Sequence, residues 1–348
     1  MKTTAAVLLE TGKPLVLADL EIPALKPGQT LVEIAYSGVC HTQLLECRGH
    51  RGEDRFLPHC LGHEGSGTVR DVGPGVNKVA PGDKVILSWM KGTGGNVPGT
   101  AYSMAGQTVN SGAITTFSHY SVISENRLTK IAEKLPLREA ALLGCAVPTG
   151  LGSVINTAAI QAGQTVVVFG TGGVGLFAVA GAALSNAAKI IAVDILASKL
   201  ELAKEMGATD TIDASQADSG TKIRELLPQG ADIAIEATGN PQVMAQALSV
   251  VRQQGGKAVI IGNAKHGAML QIDPQQLNQG KQLLGTWGGD NDPDHAFPKY
   301  IEFAASGKLQ LAPLISKTYA LGDVNTAIDD LEAGRTPRPL IDMSLTDS

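Results

Sequence analysis

The stretch YSGVCHTQLLECRGH, residues 36 to 50, sets Cys40 directly before His41 and brings Cys47 and His50 within a few residues. Thiolates and neutral imidazoles are the usual ligands of tetrahedral zinc, so metal chemistry is the first class such a cluster raises. Local spacing does not fix which of the four would ligate, because further ligands can come from far along the chain. His59, Cys60, His63 and Glu64 in LPHCLGHEG and Cys145 in ALLGCAVP widen the field. A lone buried cysteine otherwise behaves as a small hydrophobe.

A second chemistry-bearing stretch is VVVFGTGGVGLF, in which Gly170, Gly172 and Gly175 form G-x-G-x-x-G between a strand-like run and a helix-like one. The first glycine makes the tight turn, the second lets backbone approach a pyrophosphate, and the third permits close packing of helix on strand. Together with Gly173 and Val174 they open a helix whose N-terminal N–H groups attract phosphate. Asp194 ends KIIAVD about 20 residues further on, the spacing at which a carboxylate meets the adenosine ribose hydroxyls and repels a 2′-phosphate. The expected cofactor is therefore NAD in preference to NADP. Lys199 is a candidate ribose neighbour, and a strand-end turn residue is the plain alternative for Asp194.

The elements that must hold these residues follow from composition and pattern. At 348 residues the chain exceeds the size at which one core stops growing, so two domains are expected. With 43% hydrophobic and 18% charged residues it is an ordinary globular sequence. A net charge of −5 without a basic run argues against nucleic acid and anionic membrane as partners and leaves small molecules. No apolar run reaches a membrane span, MKTTAAVLLETGKP does not read as a signal peptide, and four cysteines are too few for a disulfide framework. A cytoplasmic protein is expected.

Up to about residue 146, short β-prone runs such as TLVEIAYSG, GSGTVRDVG and DKVILSW are punctuated by glycine and proline, which predicts a β-rich domain. From residue 147, TVVVFG, GGVGLFAVAGAALSNA, KIIAVD, SKLELAKEMGA, ADIAIEATG, PQVMAQALSVVRQQ, GKAVIIG and KQLLGTWGG alternate strand and helix, the sequence form of a doubly wound parallel sheet. After Trp287 the alternation stops and the chain is expected to return to the first domain. The expected α/β organisation is a catalytic domain from 1–146 with 287–348 and a nucleotide domain from 147–286, with the active site in the cleft at the carboxyl ends of the parallel strands.

His63 and Glu64, followed by glycines at 65, 67, 73 and 75, match G-H-E-x-x-G-x(5)-G-x-x-V. The chain thereby resembles the zinc-containing alcohol dehydrogenases of the medium-chain dehydrogenase/reductase family, whose domains are GroES-like and Rossmann-type. GVCHT, GCAVPTG, GTGGVG, VDILASK and GRTPRPLI extend the likeness over essentially the whole chain. The resemblance implies a catalytic zinc on Cys40, His63 and Cys145, the Cys2His set known for alcohol dehydrogenases and carried over here by similarity. It further implies Glu64 behind the metal, Thr42 as the proton-relay hydroxyl, and His41, Thr149 and Arg338 as cofactor contacts, with His41 and Arg338 at the pyrophosphate. Cys47, His50, His59 and Cys60 receive no role. The implied chemistry is Lewis-acid activation of an alcohol and hydride transfer to nicotinamide.

Three departures from the family pattern stand out. KGTGGNVPGTAYSMAGQTVNSG, where many members carry four structural-zinc cysteines, has none, so one zinc per subunit is expected. Leu45 stands where a full relay has histidine. Gln43 stands where an aspartate commonly supports the zinc-bound histidine, which leaves the group behind the histidine neutral and bears on how strongly zinc is held, although an amide oxygen can still accept the imidazole N–H. For the substrate pocket, Trp89 is the candidate aromatic wall, and Ser111 with Gly112 suggests a roomier, more polar pocket for a polyol, cyclitol or sugar derivative. The expected partners are an alcohol or carbonyl substrate and further copies of the chain, as dimer or tetramer. The rival readings are a zinc-free reductase of the same superfamily and an inactive NAD-binding relative.

Overall fold

The ten-residue strand Gln29–Gly38, QTLVEIAYSG, organises the first half of the protein because three different strands pair with it. The computed structural model describes residues 1–131, 135–315 and 317–346. Along one edge the strand meets Glu64–Val72 antiparallel, with two register shifts. The other edge is shared: Tyr120–Ser124 covers its first half, and Leu340–Asp342 covers Tyr36 to Gly38. A segment near the C-terminus is thus zipped against the residues that precede Cys40.

The chain divides into two compact units, one of Met1–Cys145 with Asp292–Ser348 and one of Ala146–Asn291. In the first, a sheet built on Gln29–Gly38 accompanies a small closed barrel of Lys2–Leu8, Val16–Glu21, Ala101–Met104, Gln107–Asn110 and His59–Cys60. The hairpin Ala101–Asn110 lies in the cysteine-free stretch. Ala105 and Gly106 both have positive φ, 48° and 86°, the geometry of the tight turns whose twist suits two-residue hairpin loops. Val109 and Tyr102 from this hairpin pack with Ala5, Val7, Leu20 and Cys60 in the barrel core, so apolar burial closes this barrel.

The second unit is a six-stranded parallel sheet in the order Asp210–Asp213, Lys189–Asp194, Thr165–Phe169, Ile233–Glu236, Lys257–Ile260, Gln282–Gly285. The order runs outward in both directions from Thr165–Phe169, the doubly wound Rossmann arrangement, and places the switch point beside that strand. Val166, Val167 and Val168 are fully buried, as both-face coverage by helices requires. The helix Gly173–Leu184 follows directly, then Ala197–Glu205, Ser219–Leu226 and Pro241–Val250. The last two are capped by Asp218 on Thr221 N and Asn240 on Gln242 N. Among the described residues no single helix is long and apolar enough to cross a membrane.

Candidate functional site

Three chain segments converge at one end of the central strand. Cys40 follows Gly38 by two residues and is the N-cap of the helix His41–Cys47. His63 immediately precedes the strand Glu64–Val72, whose Gly65 pairs with Ser37. Cys145 follows the short 3-10 turn Ala141–Gly144, which is anchored where Ser88 Oγ donates to Gly144 O at 2.6 Å. Close packing around Glu64 explains two glycines. A Cβ on Gly38 would lie 2.0 Å from Glu64 Oε1, and one on Gly144 would lie 2.8 Å from Glu64 Cβ.

The result is a compact donor set. The ligand atoms of Cys40, His63 and Cys145 lie within 4.8 Å of one another, and His63 Nε2 is 3.2 Å from Cys145 Sγ. Among the described residues this is the only group of three or more cysteine, histidine or acidic side chains that could hold a metal. The hydrogen bond from Cys145 draws the Cys40 thiol well below its ordinary range, against its burial and helped by Arg338 and His63. The same bond, with burial, pushes Cys145 well up. Burial, the largest single effect, lowers His63, but the charge and hydrogen bond of Cys40 together with the charge of Glu64 outweigh it and the net shift is upward. Two sulfurs and an imidazole nitrogen that share protons at this distance fit a divalent zinc ion, which would displace those protons on binding.

Around this set, Thr42 Oγ1 is 3.8 Å from Cys40 Sγ. Leu45, one turn further along the same helix, is buried at 5% exposure and carries nothing that could pass a proton. Glu64 is fully buried and ion-paired with Arg338 Nη2. The sequence pointed Arg338 at a cofactor phosphate; in the structure its guanidinium is buried and engages Glu64. The cause is the return of the chain: Leu340–Asp342 pairs with Tyr36–Gly38, and Val39 N donates to Pro339 O at 3.0 Å. A guanidinium brought there is buried, and only a carboxylate partner makes that burial tolerable. Burial lowers its pKa, but Glu64 and the two sulfurs more than compensate, and the net shift is upward.

Gln43 does lie against the zinc-ligand histidine, with the amide turned the other way from the acceptor arrangement open to it: Oε1 accepts from Cys40 N at 3.0 Å, while Nε2 pairs with His63 Nδ1. The reason is position. Gln43 is the third residue of the helix, where a glutamine side chain reaches back to the N-cap N–H.

The unassigned residues find ordinary places. Cys47 belongs to the core with Leu44 and Val39, and Cys60 to the barrel core; burial pushes each thiol up to about 12. His59 Nε2 sits 2.7 Å from Asp54. His50 is half-buried, and His41 is exposed. Trp89 is half-buried. Ser111 is buried and its hydroxyl donates to Gly112 O at 3.1 Å, so its polar atom is already satisfied by its own chain.

In the second unit the glycine loop has the shape a dinucleotide phosphate requires. Gly170 has φ 83°, and a Cβ on Gly175 would strike Gly170 O at 1.8 Å. A Cβ on Gly172, the N-cap of Gly173–Leu184, would meet nothing within 4 Å. That open approach to a helix N-terminus is what a pyrophosphate needs. Thr149 Oγ1 is buried without a hydrogen-bond partner, and its neighbour Gly150 packs against Val174 O at the start of the same helix. An orphaned hydroxyl beside the phosphate loop fits a cofactor that supplies its partner.

Asp194 is more occupied than the sequence suggested. Oδ2 accepts from Thr171 N and Oγ1 at 2.7 and 3.1 Å, and Oδ1 accepts from Ile195 N and Leu196 N at 2.8 and 3.1 Å. It therefore also braces the loop. Lys199 is half-buried in the first turn of Ala197–Glu205. Glu236, at the end of the strand Ile233–Glu236, was not singled out from sequence. It is fully buried, Oε1 accepts from Thr238 N and Gly239 N, and Oε2 has no partner. Burial raises its pKa. An acidic residue closing an apolar strand before a small-residue turn, IAIEATG, was the available signal.

Comparison with known proteins gives a consistent picture. A family described as "Alcohol dehydrogenase GroES-like domain" matches residues 26–133, and one described as "Zinc-binding dehydrogenase" matches residues 173–306. The chain is 38% identical to an S-(hydroxymethyl)glutathione dehydrogenase of Synechocystis sp. over 368 aligned positions, covering 98% of this chain and all of that protein. It is 35% identical, with the same coverage, to an alcohol dehydrogenase class-3 of Cereibacter sphaeroides. The crystal structure of benzyl alcohol dehydrogenase from Acinetobacter calcoaceticus is similar with a TM-score of 0.90 at 30% identity, covering 99% of this chain and all of that one.

Proposed function

Because the chain belongs to the zinc-containing alcohol dehydrogenase family of the medium-chain dehydrogenases, we propose that it oxidises a primary or secondary alcohol with NAD as hydride acceptor, or runs the reverse reduction. The observation that carries this reading is the donor set of Cys40, His63 and Cys145 within 4.8 Å. Bound there, zinc would supply Lewis-acid activation of the alcohol oxygen. Cys40, His63 and Cys145 hold the ion, and one zinc per subunit is expected because residues 91–112 contain no cysteine.

The remaining roles fall to the chain's own groups. Thr42, with its hydroxyl 3.8 Å from Cys40 Sγ, takes the proton of the alcohol. Leu45 ends the relay through the helix, so the proton leaves through the cofactor ribose, water or another base. Glu64 and Arg338 set the field behind the sulfurs. Gly170, Gly172, Gly173, Val174 and Gly175 cradle the pyrophosphate, and Thr149, whose buried hydroxyl has no hydrogen-bond partner among the described residues, is a further cofactor contact. Asp194 with Lys199 holds the adenosine ribose and favours NAD. His41 and Arg338 are assigned to the pyrophosphate on the resemblance; His41 is exposed, whereas Arg338 is buried against Glu64.

The relatives' names make S-(hydroxymethyl)glutathione and benzyl alcohol the first substrates to try. The polar-pocket reading adds polyols, cyclitols and sugar derivatives, bounded by Trp89. A cytoplasmic homodimer or homotetramer is the proposed form. The experiment is NAD reduction over that panel with zinc content determined on the same preparation. Turnover with about one zinc per chain is the expected result. Full zinc with no turnover on any alcohol would favour the inactive relative, the reading that Leu45 and Gln43 keep open.

A further inference from the structure

Gln43 has one carbonyl oxygen, and two N–H groups have a claim on it. The first is Cys40 N–H, the N-cap donor of the helix His41–Cys47, which holds Oε1 at 3.0 Å. The second arises when His63 ligates a metal. The nitrogen near Cys145 Sγ is Nε2, at 3.2 Å, so a metal within the donor set takes the Nε2 lone pair. The imidazole must then carry its proton on Nδ1, the atom that faces Gln43. In the structure Gln43 turns Nε2, a donor, toward Nδ1. Two donors would then face each other on loading.

Turning the amide over does not solve the problem. It would give Oε1 to His63 Nδ1–H but set the amide NH2 against Cys40 N–H, and that N–H has no other hydrogen-bond acceptor among the described contacts. Gln43 is 2% exposed and Cys40 is 6% exposed, which leaves little room for water to rescue the lost bond. A carboxylate of the same length would have no such conflict, since each oxygen would accept from one N–H.

We propose that Gln43 is a positioning residue that couples metal occupancy to the helix cap: zinc on His63 draws the Gln43 oxygen away from Cys40 N–H, and the site holds zinc less tightly than the same site with a carboxylate at this position. The inference rests on the metal reading of Cys40, His63 and Cys145. Its consequence is a site whose ion exchanges more readily than its ligand set alone would give.

The test uses the full-length protein and the isosteric Gln43→Glu variant, with zinc affinity measured by competition against a chromophoric chelator. The variant is expected to bind zinc about 10-fold or more tightly, the range in which groups behind metal ligands act. Added charge alone could tighten binding, so a second readout isolates the contested oxygen. In cysteine-15N-labelled protein, the Cys40 amide should exchange with deuterium faster on zinc loading in the wild type and remain protected in Gln43→Glu. A Cys40 amide equally protected with and without zinc in the wild type would overturn the proposal, as would equal zinc affinity in the two proteins. Zinc absent from both proteins would overturn the metal reading and this inference with it.

Discussion

Glu64 and Arg338 form an ion pair with side chains 0% and 3% exposed, although they lie 274 positions apart in the chain. The pair welds the returning C-terminal segment to the strand that begins at Glu64, next to His63. It also places a fixed cation beside the two sulfurs, where it favours the thiolate of Cys40.

Removing one partner of such a pair strands a buried charge. Arg338→Met should destabilise the metal-free protein by about 3–5 kcal/mol in urea unfolding. The double change Glu64→Gln with Arg338→Met should recover most of that loss. If the double variant is as unstable as the single, packing at Arg338 and not its charge carries the effect.

The glycine loop separates fold from binding. Gly172→Ala, with a Cβ meeting nothing within 4 Å, should fold with unchanged stability yet bind NAD about 10-fold or more weakly by fluorescence titration, because the methyl group occupies the phosphate approach. Gly175→Ala should instead lose about 3 kcal/mol of stability, since its methyl would sit 1.8 Å from Gly170 O. Equal loss of stability in both would contradict the open approach at Gly172.

Asp194→Ala should lower NAD affinity and shift the ratio of NAD to NADP affinity by about 10-fold or more toward NADP, a charged hydrogen bond being worth about 1.5–3 kcal/mol. It should also loosen the loop, because Asp194 accepts from Thr171 N. Isothermal titration with both cofactors measures the ratio. An unchanged ratio would move ribose recognition elsewhere.

Much of this architecture was legible because its signals are local and periodic. TVVVFG, KIIAVD, ADIAIEATG and GKAVIIG each became a strand of the parallel sheet, and GGVGLFAVAGAALSNA became the helix Gly173–Leu184. Cys40, His63 and Cys145 were nominated only by resemblance, since nothing in their local spacing brings them together. What escaped was set by tertiary placement. The hairpin Ala101–Asn110 was not read as strands because its turn residues are alanine and glycine and its strands are four residues each. The orientation of the Gln43 amide depends on which of two backbone and ring donors comes nearer. The burial of Arg338 depends on a strand of three residues at the far end of the chain.

Cys145→Ser removes one sulfur while keeping the size of the side chain. The variant should lose at least about 100-fold in zinc affinity and all detectable turnover, while NAD binding by the separate nucleotide unit stays within about twofold of wild type. Retained turnover would remove Cys145 from the ligand set.

The central claim is that two sulfurs and one imidazole of this chain hold a single zinc ion. X-ray absorption at the zinc edge of the purified full-length protein tests it most directly. The account predicts two sulfur scatterers at about 2.3 Å and one imidazole nitrogen at about 2.0–2.1 Å, with a light atom completing the shell. A shell of oxygen and nitrogen alone, or a protein that retains no zinc, would contradict it.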